Sequence, residues 1–260
     1  MNFDLHIGID YSGRETPTSR TAALQVYAAF GDEDPRRIRS PSATSKTFKN
    51  WCRQEIAAWL IEQARKKITY IVGIDHGFSF PLSYFERYDI TSWNEFLSDF
   101  CKHWPTADPH MYVDFIRDQA EGPPARTGSN NEFRLTENWT SSAKSVFQFD
   151  VQGQVAKSTH AGLPWLLRMR EEVGDHLHFW PFDGWKIPAD RSVIAEVYPS
   201  IFRSRYPKDN RTGDQQDAYS TARWLTEMDQ QGFLSRYFSP ALTEEQRAQC
   251  DLEGWILGIS

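Results

Sequence analysis

Apolar positions along the chain follow two rhythms, one of period two and one near 3.6. The stretch LHIGIDYS (5–12) alternates around Ile7 and Ile9, and TAALQVYAAF (21–30) and RRIRSPSA (36–43) follow as further strand-like runs. They predict a three-strand antiparallel meander. In SKTFKNWCRQEIAAWLIEQARKK (45–67), Phe48, Trp51, Cys52, Ile56, Trp59, Leu60 and Ala64 recur at helical spacing, with Ser45 as the expected cap. TYIVGID (69–75) and VIAEVYPS (193–200) are mostly apolar, the pattern of strands covered on both faces. Helical patterns occupy 92–104, 111–119, 162–173, 214–231 and 243–259, the last opened by a capping box of Thr243 and Gln246. Residues 120–142 have the Gly, Pro and Asn content of a long loop.

Meander, helix, buried strand, helices, buried strand, helices is the order of an α/β fold with a five-stranded mixed sheet flanked by helices. No internal repeat or low-complexity linker interrupts it, so the expectation is a single domain over 1–260 with a helical and loop insertion at about 105–160.

Composition narrows the function classes. The 260 residues are 40% hydrophobic, enough for a sizeable core, and the aromatic share of 14% is read first as core and pocket packing. A net charge of −6 argues against a protein that coats duplex nucleic acid by bulk electrostatics, although FRSRYPKDNR gathers Arg203, Arg205, Lys208 and Arg211. Cys52, Cys101 and Cys250 form no C-x-x-C pair, so neither a zinc ribbon nor a disulfide framework is expected. The sequence shows no apolar run of membrane-spanning length and no basic, apolar leader, and the expected location is cytoplasmic, without membrane association.

Candidate chemistry lies where apolar runs end. Two copies of G-I-D finish the first and fourth strands on Asp10 and Asp75, and open α/β sheets place ligand sites outside the carboxyl ends of their strands. Glu196 is a charge inside the apolar run IAEVYP, costly without a partner. Asp214 and Asp217, three apart, share a helix face. If the fourth strand packs beside the first, these carboxylates converge. Two such charges about 4 Å apart repel by roughly 4 kcal/mol at an effective dielectric of 20, and a divalent ion, Mg²⁺ or Mn²⁺, is the obvious remedy.

GIDYSG, VGIDHGFSFP, GQVAKSTHAGLPWLLRMRE, HFWPFDGW, IAEVYPS, DQQDAYSTA and EGWILG, spread over nearly the whole chain, together resemble the RNase H-like superfamily. Within it the ordered set is similar to the predicted nucleases of the domain-of-unknown-function 429 family. The resemblance implies metal-dependent phosphodiester hydrolysis of a nucleic acid or nucleotide. It implies Asp10 as the central ligand with Asp75, Glu196 and Asp217 around it, and Asp214–Asp217 similar to the final-helix acids of Holliday-junction resolvases.

Further candidates sit outside this set. GQVAKSTHAG (153–162) lacks the G-x-x-x-x-G-K-[ST] loop, yet Lys157, Ser158 and Thr159 offer phosphate contacts, as do Arg134 and Arg203. Arg134 and Glu137 are expected to pair. His76 and His160 are candidates for proton shuttling or for orienting a ligand, against a structural histidine, and Glu253 for a place near the metals or as a cap. No G-x-S-x-G elbow exists for a serine hydrolase. The leading expectation is a nuclease-like hydrolase. Its alternatives are a catalytically silent nucleotide- or protein-binding regulator on the same fold and an actin-like phosphotransferase, for which the chain is short.

Overall fold

The computed structural model describes residues 3–43, 50–66, 68–118, 125–140, 142–150 and 155–260. Six strands form one mixed sheet: β1 (Leu5–Asp10), β2 (Gln25–Phe30), β3 (Arg36–Arg37), β4 (Tyr70–Asp75), β5 (Leu177–Trp180) and β6 (Ser192–Glu196). Their order is β3-β2-β1-β4-β6-β5, with β1 to β3 antiparallel neighbours and β4, β5 and β6 running parallel to β1. The meander and the placing of the fourth strand beside the first are as the sequence implies.

The sixth strand is a correction to the expected five. LHFW is only four residues long and carries His178 at its centre, so neither run length nor alternation marks it. It is nevertheless buried throughout and hydrogen-bonded to β6 at the sheet edge.

The helices are α1 (Arg53–Ala64), α2 (Leu82–Tyr88), α3 (Trp93–His103), α4 (Val113–Arg117), α5 (Leu135–Asn138), α6 (Ala156–Val173), α7 (Gly213–Gln230), α8 (Leu234–Tyr237) and α9 (Glu244–Glu253). Ser45 and Phe48 lie outside the described residues, and α1 opens after Cys52 instead. The capping box of Thr243 and Gln246 on α9 forms as expected. Helix α6 begins six residues earlier than the 162–173 pattern, and Pro164 sits inside it. The carbonyl of His160, four residues back, loses its helical donor to that proline. Thr106 Oγ1 donates to it at 2.6 Å, which removes the cost of an orphaned buried acceptor.

Alternation along the strands sorts the sheet into two faces. Ile7, Ile9, Val72, Ile74 and Ile194 face a large core shared with α1, α3 and α6. Positions 8 and 10 of β1, 71, 73 and 75 of β4, and 193, 195 and 197 around β6 face the other way, towards α7. Among the described residues, no helix is long and apolar enough to cross a membrane.

Candidate metal centre

Each G-I-D places its glycine and its aspartate on the α7 face, two residues apart. A Cβ at Gly8 would lie 2.1 Å from the Ala218 carbonyl oxygen and 2.6 Å from the Ala222 nitrogen, and one at Gly73 would meet Thr221 Cγ2 at 2.8 Å. The glycines therefore let the α7 backbone lie directly on the sheet. That close approach carries Asp217, the residue before Ala218, over the strand ends from which Asp10 and Asp75 emerge. Asp10 and Asp75 are themselves register partners across the parallel β1–β4 pair.

One carboxylate oxygen from each of Asp10, Asp75 and Asp217 falls within 4.8 Å of the others, and all three side chains are half-buried. Among the described residues, neither Asp10 nor Asp75 accepts a hydrogen bond or an ion pair; Asp217 meets Arg203 Nη1 at 3.2 and 3.3 Å. Burial, and then the charges of Asp75, Asp214 and Asp217, hold the Asp10 carboxyl well above its ordinary range. Burial, followed by Asp217 and Glu196, pushes Asp75 up to about 8 against the opposing pull of Arg203. Asp217 is raised by burial too, tempered by Arg203 and Lys208. Three carboxylates thus share one half-exposed guanidinium, a donor set of hard oxygens suited to a divalent cation.

Glu196 does not join them. Its position on β6 shares a face with Ile194, opposite that of Ala195, so its side chain points away from the α7 side of the sheet. Arg134 grips it there with Nη1 to Oε2 at 2.7 Å and Nη2 to Oε1 at 2.6 Å, and the Phe78 backbone N–H donates to Oε2 at 2.9 Å. This is a correction to the four-acid set. Glu196 reaches the centre only through its charge on Asp75 and through its hold on the loop after β4. Asp214 is likewise outside the cluster: it is exposed on the first turn of α7, and its charge is felt at Asp10 and Asp217.

The other expected ligands and phosphate contacts are mostly placed elsewhere. Arg134 and Glu137 pair as foreseen, Nε to Oε1 at 2.9 Å, but both are buried and the guanidinium is taken up by carboxylates rather than held free for a substrate. Lys157 bonds Asp114 at 2.7 Å. Ser158 Oγ donates to the Val155 carbonyl, and Thr159 Oγ1 accepts the Gly77 N–H at 2.9 Å, so these hydroxyls fasten the start of α6 rather than a phosphate loop. Arg203 alone of that group stands at the acids.

His76 is buried between the rings of Tyr11, at 4.6 Å, and Phe78, at 5.0 Å, and burial lowers it to about 4. Packed in this way, the ring ties the loops after β1 and β4 together. His160, lowered to about 3 by burial, is enclosed by Phe80, Phe100, Trp104 and Phe149. Glu253 caps two helices, accepting the Leu82 and Leu135 N–H groups at 2.6 Å each.

A residue missed from the sequence is Arg53. Fully buried in the first turn of α1, it donates to the carbonyls of Ser12, Arg14 and Glu15 and so pins the loop that leaves Asp10. An arginine next to Trp51 and Cys52 at the head of an amphipathic helix was the available signal. Asp75 also lines a cleft together with Val155, Val197, Tyr198, Ile256 and the Arg134–Glu196 pair, and exposed Lys144 is among its lining residues. The cavity is small, about 30 Å³, room for a water molecule or two.

Comparison with protein-family models, curated proteins and solved structures returned no match. The functional reading therefore stands on these residues and their geometry.

Proposed function

We propose that this chain is an RNase H-like, divalent-metal-dependent phosphodiester hydrolase, related to the predicted nucleases of the domain-of-unknown-function 429 family. The observation that carries this reading is the meeting of Asp10, Asp75 and Asp217 within 4.8 Å, two of them without any hydrogen-bond partner among the described residues. Structural carboxylates in a half-buried site normally find donors. Carboxylates reserved for a cation do not need them.

Asp10, Asp75 and Asp217 would hold Mg²⁺ or Mn²⁺. The ion would neutralise their charge and supply Lewis-acid assistance to displacement at phosphorus. Arg203, half-exposed beside Asp217, is free to turn from that carboxylate to a substrate phosphate once the acids are neutralised. Lys208, exposed and near enough to act on Asp217, extends the positive rim. Arg53 and His76 keep the loops after Asp10 and Asp75 in place.

A second reading, a catalytically silent binding protein on the same scaffold, draws on Arg203 closing the cluster and on Glu196 being committed to Arg134. Hydrolysis of a fluorogenic oligonucleotide separates the two. The hydrolase reading expects activity that needs Mn²⁺ or Mg²⁺ and drops at least about 100-fold in Asp10→Asn. Activity unaffected by chelator or by that substitution refutes it; metal binding without turnover favours the silent protein.

A further inference from the structure

Arg203 is held at its backbone and loose at its tip. It opens the short 3₁₀ turn Arg203–Arg205 that follows β6. The residue before it, Phe202, is buried and stacked on Trp224 of α7 with ring centroids 4.9 Å apart, and the Gln216 side chain of α7 donates to the carbonyls of Arg203, at 3.4 Å, and Tyr206, at 3.0 Å. These contacts fix the Arg203 backbone against the helix that carries Asp217. The side chain is half-exposed, and among the described residues only its Nη1 hydrogen-bonds, 3.3 Å from Oδ1 and 3.2 Å from Oδ2 of Asp217. Nε and Nη2 are left over.

Standing astride both oxygens, the guanidinium neutralises a carboxylate that the candidate centre needs, and its charge is felt at Asp75 as well. A divalent ion brought to the acids would meet a like charge already on one of its three ligands. A phosphate offers the guanidinium more than Asp217 does here, two oxygens matched to the fork of two nitrogens in place of one nitrogen shared between both oxygens. We propose that Arg203 couples the two ligands of the site. In the free protein it occupies Asp217 and lowers the centre's affinity for a divalent ion; a substrate phosphate draws it away, and the ion then binds more tightly. By linkage the ion raises the affinity for phosphate by the same factor. This coupling rests on the hydrolase reading and adds regulation to it: metal is taken up together with substrate rather than ahead of it.

Calorimetric titration of the full chain with Mn²⁺, alone and with thymidine monophosphate or thymidine, tests the coupling; the monophosphate carries a phosphate but no phosphodiester to cut. In the native protein the monophosphate should tighten Mn²⁺ binding by about three- to tenfold, the scale expected when one half-exposed charge is moved, and thymidine should leave it unchanged. Arg203→Gln should bind Mn²⁺ more tightly than native without any phosphate, again by about three- to tenfold, and should lose the response to the monophosphate. Arg205→Gln removes the same charge from the same turn, where the side chain is exposed and has no ion pair among the described residues, and should behave as native. Equal Mn²⁺ affinity in native and Arg203→Gln, or equal tightening by the monophosphate in both, overturns the coupling and leaves the hydrolase reading in place. An equal gain in Arg205→Gln also overturns it, because charge alone, and not the contact with Asp217, would then set the affinity. No Mn²⁺ binding by either native or Arg203→Gln protein overturns the hydrolase reading and the coupling with it.

Discussion

Replacing Asp75 by Asn should make the metal-free protein more stable, the opposite of what removing a helix-capping or hydrogen-bonded aspartate does. At the 4.8 Å limit that encloses the acids, two carboxylates repel by about 3.5 kcal/mol at an effective dielectric of 20. The folded protein relieves this by keeping a proton on Asp75, whose carboxyl rises from an ordinary 3.8 to about 8. Below pH 3.8 the group is protonated folded and unfolded alike and the shift costs nothing. Above it the unfolded chain ionises first, so stability falls as pH rises towards 8. At pH 7 the full linkage is about 4 kcal/mol, and partial contact with solvent reduces it to about 2 kcal/mol. Asn carries no such cost. For a chain of this length that gain corresponds to a rise of about 4 °C in Tm in EDTA at pH 7 to 8, shrinking towards zero near pH 4. Saturating Mn²⁺ should reverse the order, raising the native Tm and leaving the variant nearly unmoved. A variant that melts lower than native in EDTA at pH 8 would refute the reasoning, because it would mean that Asp75 is held by favourable partners.

Other consequences are open to separate measurements. Binding of Mn²⁺ at pH 7 should release about one proton, seen as a dependence of calorimetric heat on buffer ionisation enthalpy; no buffer dependence contradicts the raised Asp75. Gly8→Ala forces a methyl against the α7 backbone and should cost roughly 1–3 kcal/mol or more, whereas Gly213→Ala, with open space around it, should be neutral or slightly stabilising in urea unfolding. Arg134→Met leaves Glu137 and Glu196 buried without their cation, for a loss of about 3–5 kcal/mol. That loss should shrink as pH is lowered and the carboxylates take up protons, and a loss independent of pH would point to packing instead.

The parts of this architecture that were legible in the sequence are those encoded by period and spacing. Asp10 and Asp75 at the ends of apolar runs gave two of the three clustered acids, and Asp217 followed from its helix face. The glycines of the same G-I-D motifs were read as strand residues, yet Gly8 and Gly73 decide how closely α7 can approach, a matter of packing between elements distant in the chain. Glu196 shows the limit of strand patterns. Its charge within an apolar run correctly signalled a buried partner, but which face it takes depends on the register of β6 against β4, Ile74 opposite Glu196, and that register places it with Arg134. The first six residues of α6 fell outside the 162–173 pattern, and the Thr106 hydroxyl that accommodates Pro164 within the helix lies far upstream. LHFW was too short to be heard as a strand.

The central claim is that Asp10, Asp75 and Asp217 are assembled for a divalent cation, and anomalous diffraction from Mn²⁺-soaked crystals addresses it directly. The account predicts a manganese peak bonded to oxygens of all three carboxylates, with Arg203 displaced from Asp217. Crystals that hold manganese only elsewhere, with Arg203 still on Asp217 and the other two acids protonated and unoccupied at pH 8, would contradict it.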